Sequence, residues 1–204
     1  MPSMIIERLN DRRDAAGDSG EDAGFTLIEL MVVLLILAIL LAIAIPTFLG
    51  VTGGANDRAA QANLNKALTT AKGAGTENGQ SYNTTGGGSA NITAGDLQNN
   101  EPSITFTTTQ AVGTGHVSVY FSADGNGVVL ATMSKATNTC WYAMDNLNPV
   151  AAEATGPYSA GAPTTAGTNY AHVKGATSTP VVCDASEATA GSAVPGAAAW
   201  TSHF

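Results

Sequence analysis

Charged side chains are scarce in this sequence, and basic ones are the scarcest. Charged residues make up 12% of the 204 residues, against a usual share of about 25%. Sixteen acidic residues against eight basic ones give a formal net charge of −8. A nucleic-acid binder needs a basic face that neutralises phosphates, so this balance argues against nucleic acid as a partner.

Residues that bind metals or perform catalysis are also few. The two cysteines exclude a four-cysteine zinc site and a disulfide-dense scaffold. The three histidines have no catalytic or metal-ligand spacing, and no GxSxG, P-loop or HExxH motif occurs. The string Asp124-Gly125-Asn126-Gly127 predicts a hairpin turn, since the other ligands of a calcium loop are missing. We therefore expect no cofactor, no metal and no enzymatic activity.

Most of the hydrophobicity lies in one segment near the N-terminus. Residues 1–24 are polar and predict a disordered arm, whereas Leu30–Ile45 is an unbroken apolar run of 16 residues. With its flanks, the stretch 25–49 would form a helix about 37 Å long, enough to cross a bilayer core of about 30 Å. The stretch is apolar on all faces, so we expect it to lie in lipid or among other helices.

Residues 50–75 have the spacing of an amphipathic helix that continues the apolar one. Gly73 and Gly75 are predicted to end this helix. Pro46 is a predicted helix break, and glycines follow it, each of which costs a helix about 1 kcal/mol relative to alanine. The sequence thus allows one long helix with a weak middle or two helices with a joint. The apolar stripe consists of Ala60, Leu64, Ala67, Leu68 and Ala71.

Residues 76–204 predict a globular head, which makes the fold class α+β. The stretch 76–101 is rich in Gly, Asn and Thr and predicts a loop. Segments rich in β-branched and aromatic residues then predict a four-stranded antiparallel sheet. From Asn146 onward the composition is typical of loops, with one short strand candidate at Thr179–Cys183. The four predicted strands are Ile104–Thr108, His116–Ser122, Val128–Met133 and Thr139–Met144.

The string Gly24-Phe25-Thr26-Leu27-Ile28-Glu29-Leu30, followed by the apolar run and Pro46, resembles type IV prepilins and pseudopilins. The resemblance is close over about residues 20–72. It implies that a prepilin peptidase removes the leader 1–24, counted from Met1 or shortened if Met4 is the true start, by cutting between Gly24 and Phe25. The same enzyme would methylate Phe25. The resemblance also implies a disulfide between Cys140 and Cys183 that holds a C-terminal loop to the sheet.

Glu29 is the polar exception within the apolar segment. A carboxylate inside a membrane span costs about 2.5–3.5 kcal/mol on insertion scales. Cleavage before Phe25 would create a free amine that can neutralise the Glu29 of a neighbouring subunit. The resemblance implies such a pairing, which would set the axial register of otherwise smooth helices. The alternative is a carboxylate that reaches the lipid headgroups. Phe25 and Glu29 are therefore the predicted assembly residues.

The resemblance implies a major pilin, the structural subunit of a type IV pilus. Its expected partners are copies of itself, the prepilin peptidase, the pilus assembly machinery and the membrane before assembly. The precursor would lie in the bacterial cytoplasmic membrane as a single-pass protein, and the filament on the cell surface. Two alternatives stay open. One is a minor pilin or pseudopilin of a type II secretion or DNA-uptake system. The other is a bitopic, membrane-anchored binding module that keeps residues 1–24.

Overall fold

The structure is a computed structural model that describes residues 25–83, 91–159, 161–176, 181–188 and 200–204. Two compact units are present, the first ending at Phe48 and the second formed by Leu49–Phe204. The predicted leader 1–24, including Gly24, lies outside the described residues. The second unit is called the head.

The long helix α1 spans Leu27–Glu77 without interruption. The break predicted at Pro46 is therefore wrong, and the chain forms one long helix with a weak middle. Pro46 lacks the N–H that would donate to the carbonyl oxygen of Ala42, so the helix loses one backbone hydrogen bond there. In the same turn, the Thr47 hydroxyl donates a 2.9 Å hydrogen bond to the carbonyl oxygen of Ile43.

In the head, α1 continues past the glycines that were predicted to end it. Gly73 and Gly75 both lie inside the helix, which ends at Glu77. Gly75 is required by packing, because a Cβ atom there would lie 2.8 Å from the Tyr82 ring and 3.0 Å from Leu147. Packing thus favours glycine at position 75 despite the low helix propensity of this residue, and the helix ends about half a turn later than predicted.

The head contains a five-stranded sheet in the order β1-β2-β3-β4-β5. The predicted number of four strands is therefore too low. The predicted antiparallel pairing holds for β2–β3 and β3–β4, and β5 pairs with β4 in the same way. The predicted hairpin turn connects β2 to β3, with Gly125 at φ 72°. The strands are β1 Thr105–Thr107, β2 His116–Phe121, β3 Gly127–Ser134, β4 Thr139–Asn146 and β5 Gly167–Lys174.

Two further differences from the sequence prediction have physical causes. Strand β1 pairs with β2 in parallel, not antiparallel. The connection from β1 to β2 contains the buried Ala111, whose backbone N–H donates to the carbonyl oxygen of Cys183. This connection brings the chain back to the end of the sheet at which β1 began, so β2 runs in the same direction as β1. Strand β5 was missed because it is an edge strand in which only Ala171 and Val173 are buried.

A short helix α2, Ala94–Asn100, lies within the stretch predicted as a loop. Its seven residues contain one buried apolar side chain, Leu97, so no periodic pattern in the sequence predicts this helix. The helix is fixed by a capping box: the Thr93 side chain accepts from the Asp96 backbone N–H, and the Asp96 carboxylate accepts from the Thr93 backbone N–H. The Asp96 carboxylate also accepts from the Thr93 hydroxyl, and this hydrogen bond, followed by the one from the Thr93 backbone N–H, lowers the pKa of Asp96.

Both faces of the sheet are covered, so all eight residues of β3 are buried. The face toward α1 packs against Leu64, Ala67 and Leu68 of the helix. The opposite face is covered by chain segments after β4, which contribute Val150, Tyr158 and other side chains. A sheet buried on both faces gives up the apolar–polar alternation of an open one, which explains the continuous apolar run of β3.

The predicted disulfide between Cys140 and Cys183 is present, with Cα atoms 5.3 Å apart. It links β4 to the segment 181–188, which contains one 3₁₀ turn at Ala185–Glu187. This segment is also held to β2, because the Ala185 backbone N–H donates to the Ser118 hydroxyl. The strand predicted at Thr179–Cys183 lies partly outside the described residues, and its described part, 181–183, is not a strand.

A buried ionic network ties α1 to the sheet. The Asp145 carboxylate on β4 accepts from the Tyr82 hydroxyl at 2.9 Å and from the Thr168 hydroxyl at 2.7 Å. It also pairs with the Lys72 ammonium of α1 at 3.0 Å. Burial, followed by the charge of Asp145, raises the pKa of Tyr82 far above its usual range. The phenol therefore remains a donor, and the buried carboxylate keeps three partners.

We predict that Tyr82→Phe destabilises the head. The substitution preserves ring packing but removes one donor from a buried carboxylate, which costs about 1.5–3 kcal/mol. Urea unfolding of the detergent-solubilised chain measures the change. Tyr142→Phe is the matched control, because the buried Tyr142 makes no side-chain hydrogen bond to the described residues. Equal midpoints for the two variants would contradict the role assigned to this network.

Candidate functional site

The start of α1 is a second capping box, built from two residues of the predicted motif. The Thr26 backbone N–H and hydroxyl both donate to Oε2 of Glu29, at 2.9 and 2.8 Å. In return, the Glu29 backbone N–H donates to the Thr26 hydroxyl oxygen at 3.2 Å. Thr26 is thus the N-cap, and its carbonyl oxygen accepts the first helical hydrogen bond, from Leu30 at 3.3 Å. The box satisfies backbone donors that a helix start otherwise leaves open.

The capping box gives Glu29 a partner within its own chain. The sequence predicted only an intersubunit partner for Glu29 or a route to the headgroups, and Thr26 is a residue of this site that was not predicted. The signal was available, because Thr-x-x-Glu before an apolar run is the signature of a capping box. Of the two carboxylate oxygens of Glu29, Oε2 is the one that accepts hydrogen bonds from the described residues. Oε1 therefore keeps its capacity to accept from a further donor.

The helix beyond this box exposes its apolar surface on every side. All residues from Phe25 to Phe48 are exposed, including Phe25 at 87% and Ile43 at 66%. Within the described part of the chain, α1 is the one helix that is long and apolar enough to cross a membrane, with a mean hydropathy of 3.2 over its most apolar window. A surface of this kind requires lipid or other helices as its environment.

The predicted site residues fall into separate groups. Phe25 precedes the helix and, with Glu29, lies at the N-terminal end of α1, next to the capping Thr26. Pro46 lies within α1, and Cys140 and Cys183 form their bridge in the head. Gly24, the other processing residue, lies outside the described residues. The N-terminal end of α1 is therefore the candidate functional site, and the bridge is a structural element of the head.

Aromatic side chains at one edge of the head pack against one another. Trp141 stacks on His172 with ring centroids 4.9 Å apart, and Phe204 packs against both Trp141 and Tyr170. The indole N–H of Trp141 is buried, and it is the one buried side-chain polar atom without a partner among the described residues. These rings therefore bury part of their surface against one another.

Comparison with known proteins identifies the motif. The family described as prokaryotic N-terminal methylation motif matches residues 21–45. No curated protein and no solved structure matches the chain.

Residues 21–45 thus carry the class III leader of type IV pilins and pseudopilins. The motif supports a type IV pilin-like or pseudopilin protein that a prepilin peptidase processes. It also suggests a structural protein made as a membrane-anchored precursor. The long apolar helix and the disulfide of the head fit this class.

We predict that Thr26→Ala loosens the first turn of α1, whereas Thr26→Ser preserves it. Loss of an N-cap costs about 1 kcal/mol, which corresponds to about fivefold faster amide exchange at the helix start. The measurement is hydrogen exchange of the Glu29 and Leu30 amides in detergent-solubilised precursor. Unchanged exchange in Thr26→Ala would show that the capping box does not fix the helix start.

Proposed function

We propose that this chain is the major structural subunit of a type IV pilus. The observation that carries the proposal is the methylation motif at residues 21–45, followed by an apolar helix surface that the chain itself leaves exposed. Lipid covers this surface in the precursor, and neighbouring subunits cover it in the filament.

Processing begins the proposed sequence of events. The peptidase hydrolyses the peptide bond between Gly24 and Phe25, which leaves a carboxylate on Gly24 and an amine on Phe25. Phe25 lies outside the helix because the Thr26 cap starts α1 at Leu27. An extended segment at the membrane edge suits a peptidase, which requires an accessible backbone, and glycine at position 24 resists helix formation. The new amine is then methylated.

Assembly moves the apolar helix from lipid into a bundle of identical helices. Because lipid tails are as apolar as the side chains, this exchange yields little hydrophobic free energy. The energy for extrusion must therefore come from the assembly machinery, and the register between subunits must come from polar groups. Glu29 supplies the register: Oε2 stays with Thr26 of its own chain, while Oε1 receives the Phe25 amine of a neighbour.

The head supports a major subunit through its construction. It is cross-linked by Cys140–Cys183 and by the Asp145 network, as a part that repeats along an exposed filament requires. Among the described residues, no group of three His, Cys, Asp or Glu side chains is arranged to hold a metal. A minor pilin or pseudopilin would share the N-terminal site, so abundance in sheared surface material distinguishes the two roles.

The test of the proposed function is mass spectrometry of material sheared from the cell surface. We predict that this chain is the dominant protein there and that its N-terminus is Phe25 carrying one added methyl group. Gly24→Val should leave uncleaved precursor in the membrane, because a side chain branched at Cβ crowds the scissile bond next to it. Surface protein that retains residues 1–24 would instead support the bitopic binding module, and a trace amount of processed chain would indicate a minor pilin.

Substitution of Glu29 separates its two roles. Glutamine is accepted at the N3 position of a capping box, so Glu29→Gln keeps the helix start but removes the charge. We predict that Glu29→Gln and Glu29→Leu are both inserted and cleaved normally, yet build at least about tenfold fewer filaments, which corresponds to about 1.4 kcal/mol of lost pairing. Filament yield is measured in the sheared fraction, against processed chain in the membrane. Parental yield from Glu29→Gln would assign the role of Glu29 to the cap alone.

A further inference from the structure

The basic residues of the head differ in whether they form ion pairs with the described residues. The five that follow the leader are Arg58, Lys66, Lys72, Lys135 and Lys174. Within the described residues, two of them form ion pairs, Lys66 with Glu101 and Lys72 with Asp145. The other three are exposed and form no ion pair with the described residues.

These three unpaired bases lie at one end of the head. Lys135 is in the β3–β4 connection, and Lys174 is opposite Thr139 at the first position of β4. The same connection contacts α1, since the Thr137 hydroxyl donates to the Asp57 carboxylate, next to Arg58. Thr137 also lies against Gly53 of α1. We call Arg58, Lys135 and Lys174 the basic end. Among the described residues, the Asp57 carboxylate lies at the Thr137 contact, and Asp184 and Glu187 follow Val181, whose backbone N–H donates to Asn138 of the same β3–β4 connection.

Acidic residues collect at the other end of the head. Glu77 is the last residue of α1, and Asp124 lies in the β2–β3 turn. The two are connected by Tyr82, whose ring lies against Gly75 and whose backbone N–H donates to Gly125 at 2.7 Å. Glu153 joins them, because its Oε1 accepts from the Ala123 backbone N–H at 2.8 Å. We call Glu77, Asp124 and Glu153 the acidic end.

The two ends are too far apart to neutralise each other within one chain. Along α1, Gly53 marks the basic end and Gly75 the acidic end. These residues are separated by about 33 Å of helix, at a rise of about 1.5 Å per residue. The Debye length at physiological ionic strength is only about 8 Å. The two ends therefore leave each other's charge unpaired within one chain. At the acidic end the Asp124 and Glu153 carboxylates accept hydrogen bonds inside the head, and Glu77 is the exposed carboxylate.

We propose that the basic end of one head binds the acidic end of the next copy. This proposal rests on the filament function proposed above and adds the surface through which successive heads meet. A head-to-tail contact joins two different patches of the same chain, so each added copy supplies one end and leaves the other open for growth. The opposite charges also favour this polarity and penalise head-to-head contact between two basic or two acidic ends.

A second copy fits these observations better than an anionic lipid surface. Lipid headgroups would account for the basic end alone and would leave the acidic end without a partner. A homopolymer accounts for both ends, because the chain that carries three exposed bases at one end carries three carboxylates at the other. Complementary charges would thus add register between heads to the register that Glu29 supplies between helices.

The experiment reverses one end at a time in the full-length chain. Lys135→Glu combined with Lys174→Glu reverses the basic end, and Glu77→Lys changes the acidic end at an exposed residue. Lys135→Arg combined with Lys174→Arg is the matched control, because it keeps the charge. The measurements are filament yield in the sheared fraction and the NaCl concentration that dissociates the sheared filaments. Cleavage and the oxidised Cys140–Cys183 bridge are checked in the membrane fraction.

The expected result is that both reversals lower the yield at least about fivefold and that their remaining filaments dissociate at lower salt, whereas the arginine control matches the parent. Parental filaments should also dissociate more readily at 1 M NaCl, where the Debye length is about 3 Å, and this measurement needs no variant to fold. Parental filaments that resist salt, or either reversal without effect, would overturn the proposal. The proposal would also be overturned if reversal of the basic end changed only the retention of the chain on anionic membranes and left the filament yield unchanged. Absence of filaments from the parent would instead refute the proposed function.

Discussion

The exposed apolar surface of α1 between Phe25 and Phe48 is the constraint on which the other features depend. A single copy of the chain leaves all of this surface exposed, and water is not a tolerable environment for a helix that is apolar on every face. Lipid or neighbouring helices must therefore cover it. In the proposed function, removal of the leader lets the helix exchange the first environment for the second, and the polar groups at the helix start supply the register that the apolar surface lacks.

Glu29 combines two demands that usually conflict. A carboxylate in an apolar segment is costly, yet a smooth helix needs a polar group to define its neighbours. The capping box with Thr26 reduces this conflict, because it gives one carboxylate oxygen local donors before any neighbour arrives. The other oxygen is then available for an intersubunit donor. Thr26 and Glu29 thus start the helix, and in the proposed function the second oxygen of Glu29 forms the contact to the neighbour.

The head solves a different problem, which is to hold a low-charge, loop-rich chain in one conformation. Its sheet is covered on both faces, by α1 and by the segments after β4. The buried Asp145 carboxylate joins α1, β4 and β5 through three donors, and the disulfide fixes the segment that closes the outer face. Of the charges outside these networks, Arg58, Lys135 and Lys174 lie toward one end of the head and Glu77, Asp124 and Glu153 toward the other, which is the basis of the proposed contact between copies.

The sequence by itself determined the features that depend on local pattern. The apolar run, the Gly24–Phe25 boundary, the position of Glu29 and the β2–β3 turn are all readable from composition and spacing, because each acts through its immediate neighbours along the chain. The tertiary structure decided the rest. Helix α1 passes through Pro46 and ends beyond Gly75, where close packing against Tyr82 requires a glycine. The parallel pairing of β1, the edge strand β5 and the Asp145 network depend on contacts between residues far apart in sequence, and such contacts leave no periodic signal.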